Sequence, residues 1–352
     1  MSEQAGPAPI VLGVLYDFPQ GDGGALFEDA LRLGLEAGRG PDRPVELLAC
    51  HARGLPSGTA HEIEQSFAEL ADAGVLAVLG PSISDNALIV RDLAAGRAVP
   101  CLNYSGGERT RGEWMFHYQV GSLEEEPVVL ATHLAGRSAT TVALAHDHSA
   151  VGRGYAEAFA EACASKGIEL VASSPVSPLA EDLGPVVRRL RTADPQFVCY
   201  LGLGVAARAL ALALQTERWG VPVVANSALM FGYARRDWRE GWDGWVYVDT
   251  VSDANTARAT LREASPRSAA GPIGVAAYDM GRLLGEALAR AAHLTRDGVR
   301  EALEHVKALP AASGVEGTVM GFGAWDHGAL KGPYLVLRSW REGRTLELGV
   351  DA

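Results

Sequence analysis

His146 and His148 stand one residue apart after an apolar run, the spacing of two metal ligands carried by one strand. Two ligands leave a shell incomplete, and the sequence offers neither HExxH nor a further His/Cys cluster to finish it, so the segment reads as a loop leaving a strand. Phe197-Val-Cys-Tyr-Leu-Gly-Leu-Gly-Val-Ala-Ala follows the outline of a dinucleotide loop: a strand, G-x-G-x-x-A, then a helix. The acid that would hold a ribose belongs about 20 residues further on. The next strand ends instead in Asn226-Ser227-Ala228, so the loop reads as a wall and not as a nucleotide site. Ser84-Asp85-Asn86 follow the buried pattern of residues 75–80 and open a helix. Free N–H groups and the helix dipole favour an anion there by ~0.3–1 kcal/mol. Ser84 or Asp85 capping its own helix is the plain alternative. At Val99-Pro-Cys-Leu-Asn-Tyr-Ser-Gly-Gly a strand enters a small polar loop, the edge at which open α/β sheets bind ligands. Tyr104 supplies an aromatic wall there, with an ordinary turn as the alternative. No G-x-S-x-G elbow, Walker loop or paired-carboxylate motif supports catalysis. Glu124 to Glu126 read as acids opening a helix.

These segments need a scaffold of some size. The 352 residues suggest about two domains. A hydrophobic content of 48 % and a charged content of 21 % are those of a globular protein. The net charge of −12 offers no basic face to a phosphate backbone, which argues against a nucleic-acid partner. Arg235, Arg236 and Arg239 form the densest basic group and alternate with Asp237 and Glu240. No apolar run reaches the roughly 18 residues of a membrane span, so direct membrane insertion is not expected. The stretch before Ile10 has no basic start and no apolar core. It therefore contains no secretory leader, which places the chain in the cytoplasm as it stands, or outside it if a leader has been removed. Cys50, Cys101, Cys163 and Cys199 lie in apolar patterns without a CxxC pair and read as buried free thiols.

Short apolar runs alternate with amphipathic stretches. Strands are expected at 10–16, 45–49, 75–79 and 99–102, with helices at 25–37, 61–73 and 86–95. After a glycine-rich and charged break at 103–122 the pattern restarts. Strands at 141–145, 169–173, 197–201 and 223–226 alternate with helices at 124–135, 152–166, 184–193 and 206–217. Helical segments 274–294 and 296–305 follow. Such alternation builds βαβ units, a parallel sheet and helices on both faces.

The last distinctive stretch is 317–333, Gly-Thr-Val-Met-Gly-Phe-Gly-Ala-Trp-Asp-His-Gly-Ala-Leu-Lys-Gly-Pro. It reads as a strand, a tight turn at Asp326–Gly328 and a return strand, with glycine at the third turn position relieving left-handed strain. Tyr334 to Trp340 then alternates like an exposed edge strand. With Ala277-Tyr278-Asp279 and the strand and loop at 75–86, this segment resembles the leucine/isoleucine/valine-binding family of solute-binding proteins. The resemblance runs from Ile10 to Trp340.

It implies an α/β chain of two doubly wound parallel-sheet lobes joined by a three-crossing hinge, the type I periplasmic-binding fold. The lobes would be 1–122 with 252–329 and 123–251 with 330–352, with 317–333 making the last crossing and a ligand cleft between them. Ser84 falls on the serine that holds the ligand carboxylate in that family, beside Asp85 and Asn86. Ser105 and the Gly107 N–H fall on the carboxylate-binding loop, with Tyr104, Tyr16 and Phe18 completing the first wall. On the second wall, Asp147, Gly152 and Gly154 match the family's Asp-x-x-x-Tyr-Gly-x-Gly, and Val151 replaces its tyrosine. Leu203 stands where a second tyrosine is common. Ser227 and Ala228 stand where amino-acid-binding members often carry an acid, and Leu123 replaces another. The resemblance thus implies a non-enzymatic binder without cofactor or metal. Its ligand would be a small carboxylate or amide with an apolar or aromatic body, and not a free α-amino acid, because a buried ammonium needs a charged or aromatic partner. The implied partners are the membrane subunits of an ABC importer. The alternative is a cytosolic sensor of the amide-responsive type, acting on a regulatory protein.

Overall fold

The computed structural model describes residues 8–18, 23–37 and 43–349. Two main sheets organise it. The first contains strands β1 (Ile10–Tyr16), β2 (Val45–His51), β3 (Val78–Leu79), β4 (Cys101–Asn103) and β5 (Met115–His117). Their spatial order is β2-β1-β3-β4-β5, and every pair is parallel. Helices α1 (Gly23–Glu36), α2 (Ala60–Asp72) and α3 (Ser84–Arg97) connect them. The apolar run of β1 is buried almost throughout, as a central parallel strand requires.

In the second sheet, α4 (Glu126–Gly136), β6 (Thr141–Asp147), α5 (Ala150–Ser165), β7 (Glu169–Val176), α6 (Gly184–Thr192), β8 (Phe197–Leu201), α7 (Val205–Thr216) and β9 (Val223–Ala225) alternate along the chain. Short helices α8 (Phe231–Ala234) and α9 (Arg236–Arg239) lead to β10 (Val246–Asp249). The chain then returns to the first sheet through α10 (Ala259–Ala264), α11 (Pro272–Arg290) and α12 (Arg296–Glu304). A small antiparallel sheet follows, made of β11 (Leu309–Pro310), β12 (Val319–Met320) and β13 (Leu330–Lys331). Finally β14 (Val336–Arg341) and β15 (Arg344–Glu347) complete the second sheet, in the order β15-β14-β10-β9-β8-β6-β7.

Each sheet has a core on either face. In the first lobe, Leu12, Val14, Leu31 and Leu284 fill one side, and Leu15, Phe67, Val78 and Val90 the other. In the second, Tyr200, Leu210, Trp242 and Trp340 oppose Leu134, Leu144, Phe159 and Cys199. Helices α1 and α11 meet almost backbone to backbone. A Cβ on Gly34 would lie 2.0 Å from the Tyr278 carbonyl oxygen, and one on Gly281 would lie 2.3 Å from that of Leu31.

Two details differ from the sequence reading. Strand β14 is no edge: it pairs with β10 on one side and β15 on the other, and Arg338, Ser339 and Trp340 are buried in succession. Gly328 has no left-handed backbone. What it provides is space, because a Cβ there would meet the Arg111 guanidinium at 2.5 Å. The turn itself is closed by Gly323 and Asp326, whose N–H groups each donate to the other's carbonyl, and by the Asp326 side chain, which accepts from Gly328 N–H.

The segments passing between the two sheets are anchored by acids, two of them, Asp249 and Asp279, fully buried. Tyr118 donates to Asp279 (2.7 Å), which also accepts from the Ala312 N–H. Asp249 accepts from Thr250 and Val251 N–H and from the Tyr233 hydroxyl. Tyr334 donates to Glu125 at 2.8 Å.

Candidate functional site

Where β1 ends, Asp17 turns its carboxylate beneath the first turn of α3. Its Oδ1 accepts from Ser82 N–H (2.9 Å) and Ser82 Oγ (2.5 Å), and its Oδ2 from Ile83 N–H and Asn86 Nδ2, both at 2.9 Å. Ile83, the residue that begins this helix, has no side-chain cap of its own. Asp17 therefore does from outside the helix what Ser84 or Asp85 would do from within under the capping alternative. Burial raises its pKa, while the four hydrogen bonds oppose that by favouring the charged form.

The opposing wall comes from the second sheet. Asp147 ends β6 and faces the loop after β8, accepting from Tyr200 Oη at 2.8 Å and from Leu203 N–H at 2.7 Å. Burial pushes its pKa up to about 6, the two donors pull it down, and nearby Asp85 pushes it further up. Gly202 leaves room for this carboxylate, since a Cβ there would sit 2.2 Å from its Cγ. At Gly204 the loop turns with a φ of 93°, which favours glycine, and α7 begins. Behind the end of β9 lies Glu126, wholly buried. Its carboxylate accepts from Ser122 N–H (2.6 Å), Ser227 N–H (2.6 Å), Ser227 Oγ (2.9 Å) and Tyr155 Oη (3.0 Å). Burial raises its pKa to about 7 against those four bonds.

Between the walls lies a cavity of about 60 Å³. The lobes also touch directly across it. Phe18 meets Phe231 edge to face, with ring centroids 5.3 Å apart. Asp85 reaches the start of α5, where its carboxylate lies beside the Val151 N–H and the Ser149 side chain.

Of the residues singled out in the sequence, Phe18, Ser84, Val151, Leu203, Ser227 and Ala228 line this cavity together. The other six do not. Asn86 is fully buried and spent on Asp17 and on the Leu55 backbone. Asp85, in the first turn of α3, lies beside the cavity against the start of α5. Tyr104 packs against Phe27 with its hydroxyl beside Ser82, and Tyr16 stacks on His51 and donates to Glu28. Ser105 is buried and donates to Asn103 Oδ1 at 2.7 Å. Gly107 lies behind Ser84, where a Cβ would stand 3.3 Å from Ser84 Oγ. Its neighbour Gly106 reaches the cavity instead.

The sequence reading also missed residues. Ser82, Gly106, Tyr155 and Asn226 line the cavity, as does Asp147, noted only as a motif match. Asp17 and Glu126 act from behind it. One signal for Glu126 was present. Ser122 and Glu125 form S-x-x-E, a helix-start pattern. In the structure Ser122 Oγ accepts from Glu125 N–H, and the next acid, Glu126, reaches back to Ser122 N–H. Nothing in the sequence distinguishes Asp17 from an ordinary loop acid.

A model of the periplasmic binding protein family matches residues 9–340. No curated protein sequence matches at a significant level. Among solved structures, a periplasmic binding protein type 1 from Bordetella pertussis Tohama I superposes with a TM-score of 0.83 at 17% identity, covering 97% of this chain and 100% of its own. A leucine-binding protein from Thermotoga maritima gives 0.82 at 15% identity, with 97% and 98% covered. An ABC transporter substrate-binding protein from Desulfitobacterium hafniense, in complex with Leu, gives 0.79 at 17% identity, with 97% and 100% covered. These likenesses establish the shared two-lobed α/β fold.

Proposed function

We propose, from the premise that this chain belongs to the periplasmic binding protein family, that it is the solute-binding component of an ABC importer. It closes two lobes over a small organic ligand and performs no chemistry on it. The lobes are assigned to 1–122 with 252–329 and to 123–251 with 330–352. One observation carries the reading. Residues from both lobes, Phe18 and Ser84 on one side and Val151, Leu203, Ser227 and Ala228 on the other, line a single cavity. A ligand bound there touches both lobes only when they are shut, and it stabilises the shut form by its differential affinity for that form. A ratio of ~10⁴ moves the population almost completely.

The test has two parts. A thermal-shift screen over short amides, amines, organic acids and amino acids should find a compound that raises the melting temperature and reduces the radius of gyration in solution scattering. Reconstituted ABC membrane subunits from the same cells should then hydrolyse ATP faster with the liganded protein than with the free protein. A compound that raises the melting temperature without compacting the protein would refute closure. Compaction without ATPase stimulation would refute the importer role.

A further inference from the structure

Two carboxylates approach each other across the cavity from opposite walls. Asp147 ends β6, and on its side the cavity is bordered by Ser149, Val151 and Gly152 at the start of α5. Gly152 lets that start settle directly onto Asp147: a Cβ on Gly152 would stand 2.0 Å from the Asp147 carbonyl oxygen and 3.0 Å from the Asp147 Cβ. From the first sheet, Asp85 in the first turn of α3 sets its carboxylate beside the same Val151 N–H and the Ser149 side chain. Its neighbour Ser84 lines the cavity together with Asp147. Little offsets this pair of like charges. Asp147 faces two neutral donors, Tyr200 Oη and Leu203 N–H. His146, beside it on β6, turns a ring nitrogen to the Asp147 backbone carbonyl at 3.2 Å, and burial lowers its pKa, which favours the neutral ring. Asp85 faces one cation, Arg153, which is exposed on α5 where water screens its charge. None of the described lining residues is Lys, Arg or His.

Resting on the reading that the lobes open and close, we propose that closure of this protein is coupled to uptake of a proton by the Asp85–Asp147 pair, so that acid favours the shut form before any ligand arrives. Opening carries α3 away from the start of α5 and returns Asp85 to water. Closing brings two carboxylates into a space that excludes water, where like charges disfavour ionisation of both. One proton shared by the pair removes the repulsion. It leaves a single anion at the start of α5, where free N–H groups and the helix dipole favour one. The sign follows from the direction of the shifts. Burial raises both acids, and Asp85 adds to the upward push on Asp147. A carboxyl whose pKa is higher in the shut form than in the open one favours the shut form in acid. That preference is lost as pH rises through the shut-form value, about 6 for Asp147. With an ordinary value of about 3.9 in the open form, the ratio of shut to open protein is about tenfold higher at pH 5 than at pH 8. Burial that Asp147 keeps within its own lobe makes this an upper bound.

The experiment needs no ligand. Solution scattering of the whole free protein at pH 5 and pH 8, at one ionic strength, should give a smaller radius of gyration at pH 5. Asp147→Asn imitates the protonated carboxyl and should remain compact at both pH values, and Asp85→Asn should flatten the dependence in the same way. Circular dichroism establishes that each variant is folded. Should Asp147→Asn not fold, the exchange at Asp85, which is only partly buried, carries the test. A protein that stays shut at both pH values is read by a double-mutant cycle on its melting. At pH 8 the two exchanges should be non-additive by about twofold or more in the unfolding constant, the low end for residues in contact. At pH 5, where the pair already holds a proton, they should be additive. An unchanged radius together with additivity at pH 8 overturns the inference. So does a pH-dependent radius that persists in both folded variants, which places the effect on another acid such as Glu126. Compaction by a compound from the screen, with neither of these pH effects, leaves closure standing and removes only the proton coupling. If neither pH nor any compound compacts the protein, the closure reading fails and takes this inference with it.

Discussion

Asp17→Ala is the most informative single change in this protein. It deletes one carboxylate that serves four donors: Ser82 N–H, Ser82 Oγ, Ile83 N–H and Asn86 Nδ2. Losing a helix-start acceptor costs about 0.5–2 kcal/mol, and each buried donor left without a partner costs about 1–3 kcal/mol. Two terms offset this. The variant no longer buries a charge, and water enters the space. A net loss of about 3 kcal/mol is expected, which lowers the melting temperature by roughly 6–12 °C for a unit of this size. The second readout is specific to the geometry. With its internal anion gone, the start of α3 becomes a site for an external one. Acetate at ten times its dissociation constant should return about 1.4 kcal/mol to the variant and nothing to the wild type. Differential scanning calorimetry in chloride and in acetate, at equal ionic strength, measures both. The reasoning is refuted if Asp17→Ala melts within about 1 °C of the wild type, or if acetate stabilises the two proteins equally.

Other consequences follow from the same contacts. The raised pKa values of Glu126 (about 7) and Asp147 (about 6) mean that the folded protein holds more protons than the unfolded chain between about pH 4 and 7. Their contribution to stability is therefore full at the acid end and lost as pH rises through those values, and for Glu126 alone it amounts to about 3 kcal/mol. Melting curves from pH 5 to 8 should show the wild type losing stability more steeply than Asp147→Asn. Glu126→Gln should cost about 1–3 kcal/mol in urea unfolding, because its amide N–H must face a backbone N–H of Ser122 or Ser227. Gly281→Ala should cost at least about 3 kcal/mol by calorimetry, since it forces α1 and α11 apart where a Cβ would lie 2.3 Å from a carbonyl oxygen. Phe231→Ala should weaken the closed form by about 1 kcal/mol through its lost contact with Phe18, raising the mean radius of gyration of the free protein.

The two sheets were legible in the sequence because apolar runs and amphipathic stretches alternate over almost the whole chain, and burial enforces that pattern residue by residue. The cavity was half legible. Strand ends and loops announce themselves, so Phe18, Ser84, Val151, Leu203, Ser227 and Ala228 were within reach. The choice between neighbours in one loop was not, since adjacent residues such as Gly106 and Gly107 have the same chemistry and differ only in where the fold points them. Least legible were Asp17 and Glu126. Each is an acid near a helix start, a place where acids are common and solvated, and only the packed lobes reveal that both are buried.

That concealment bears on ligand chemistry as well as on stability. The absence of an acid at Ser227 and Ala228 argued, from sequence, for a ligand without an ammonium group and left a carboxylate as one choice. In the structure Ser227 is the surface of an acid, since its hydroxyl and its N–H both donate to Glu126 directly behind it. The polarity that a ligand meets at this position is set by the proton's direction, and that direction is fixed one layer away from the cleft. Ser82 repeats the arrangement with Asp17 on the opposite wall. A serine at a cleft presents a donor or an acceptor according to what stands behind it, and at these two positions a buried carboxylate decides for the acceptor.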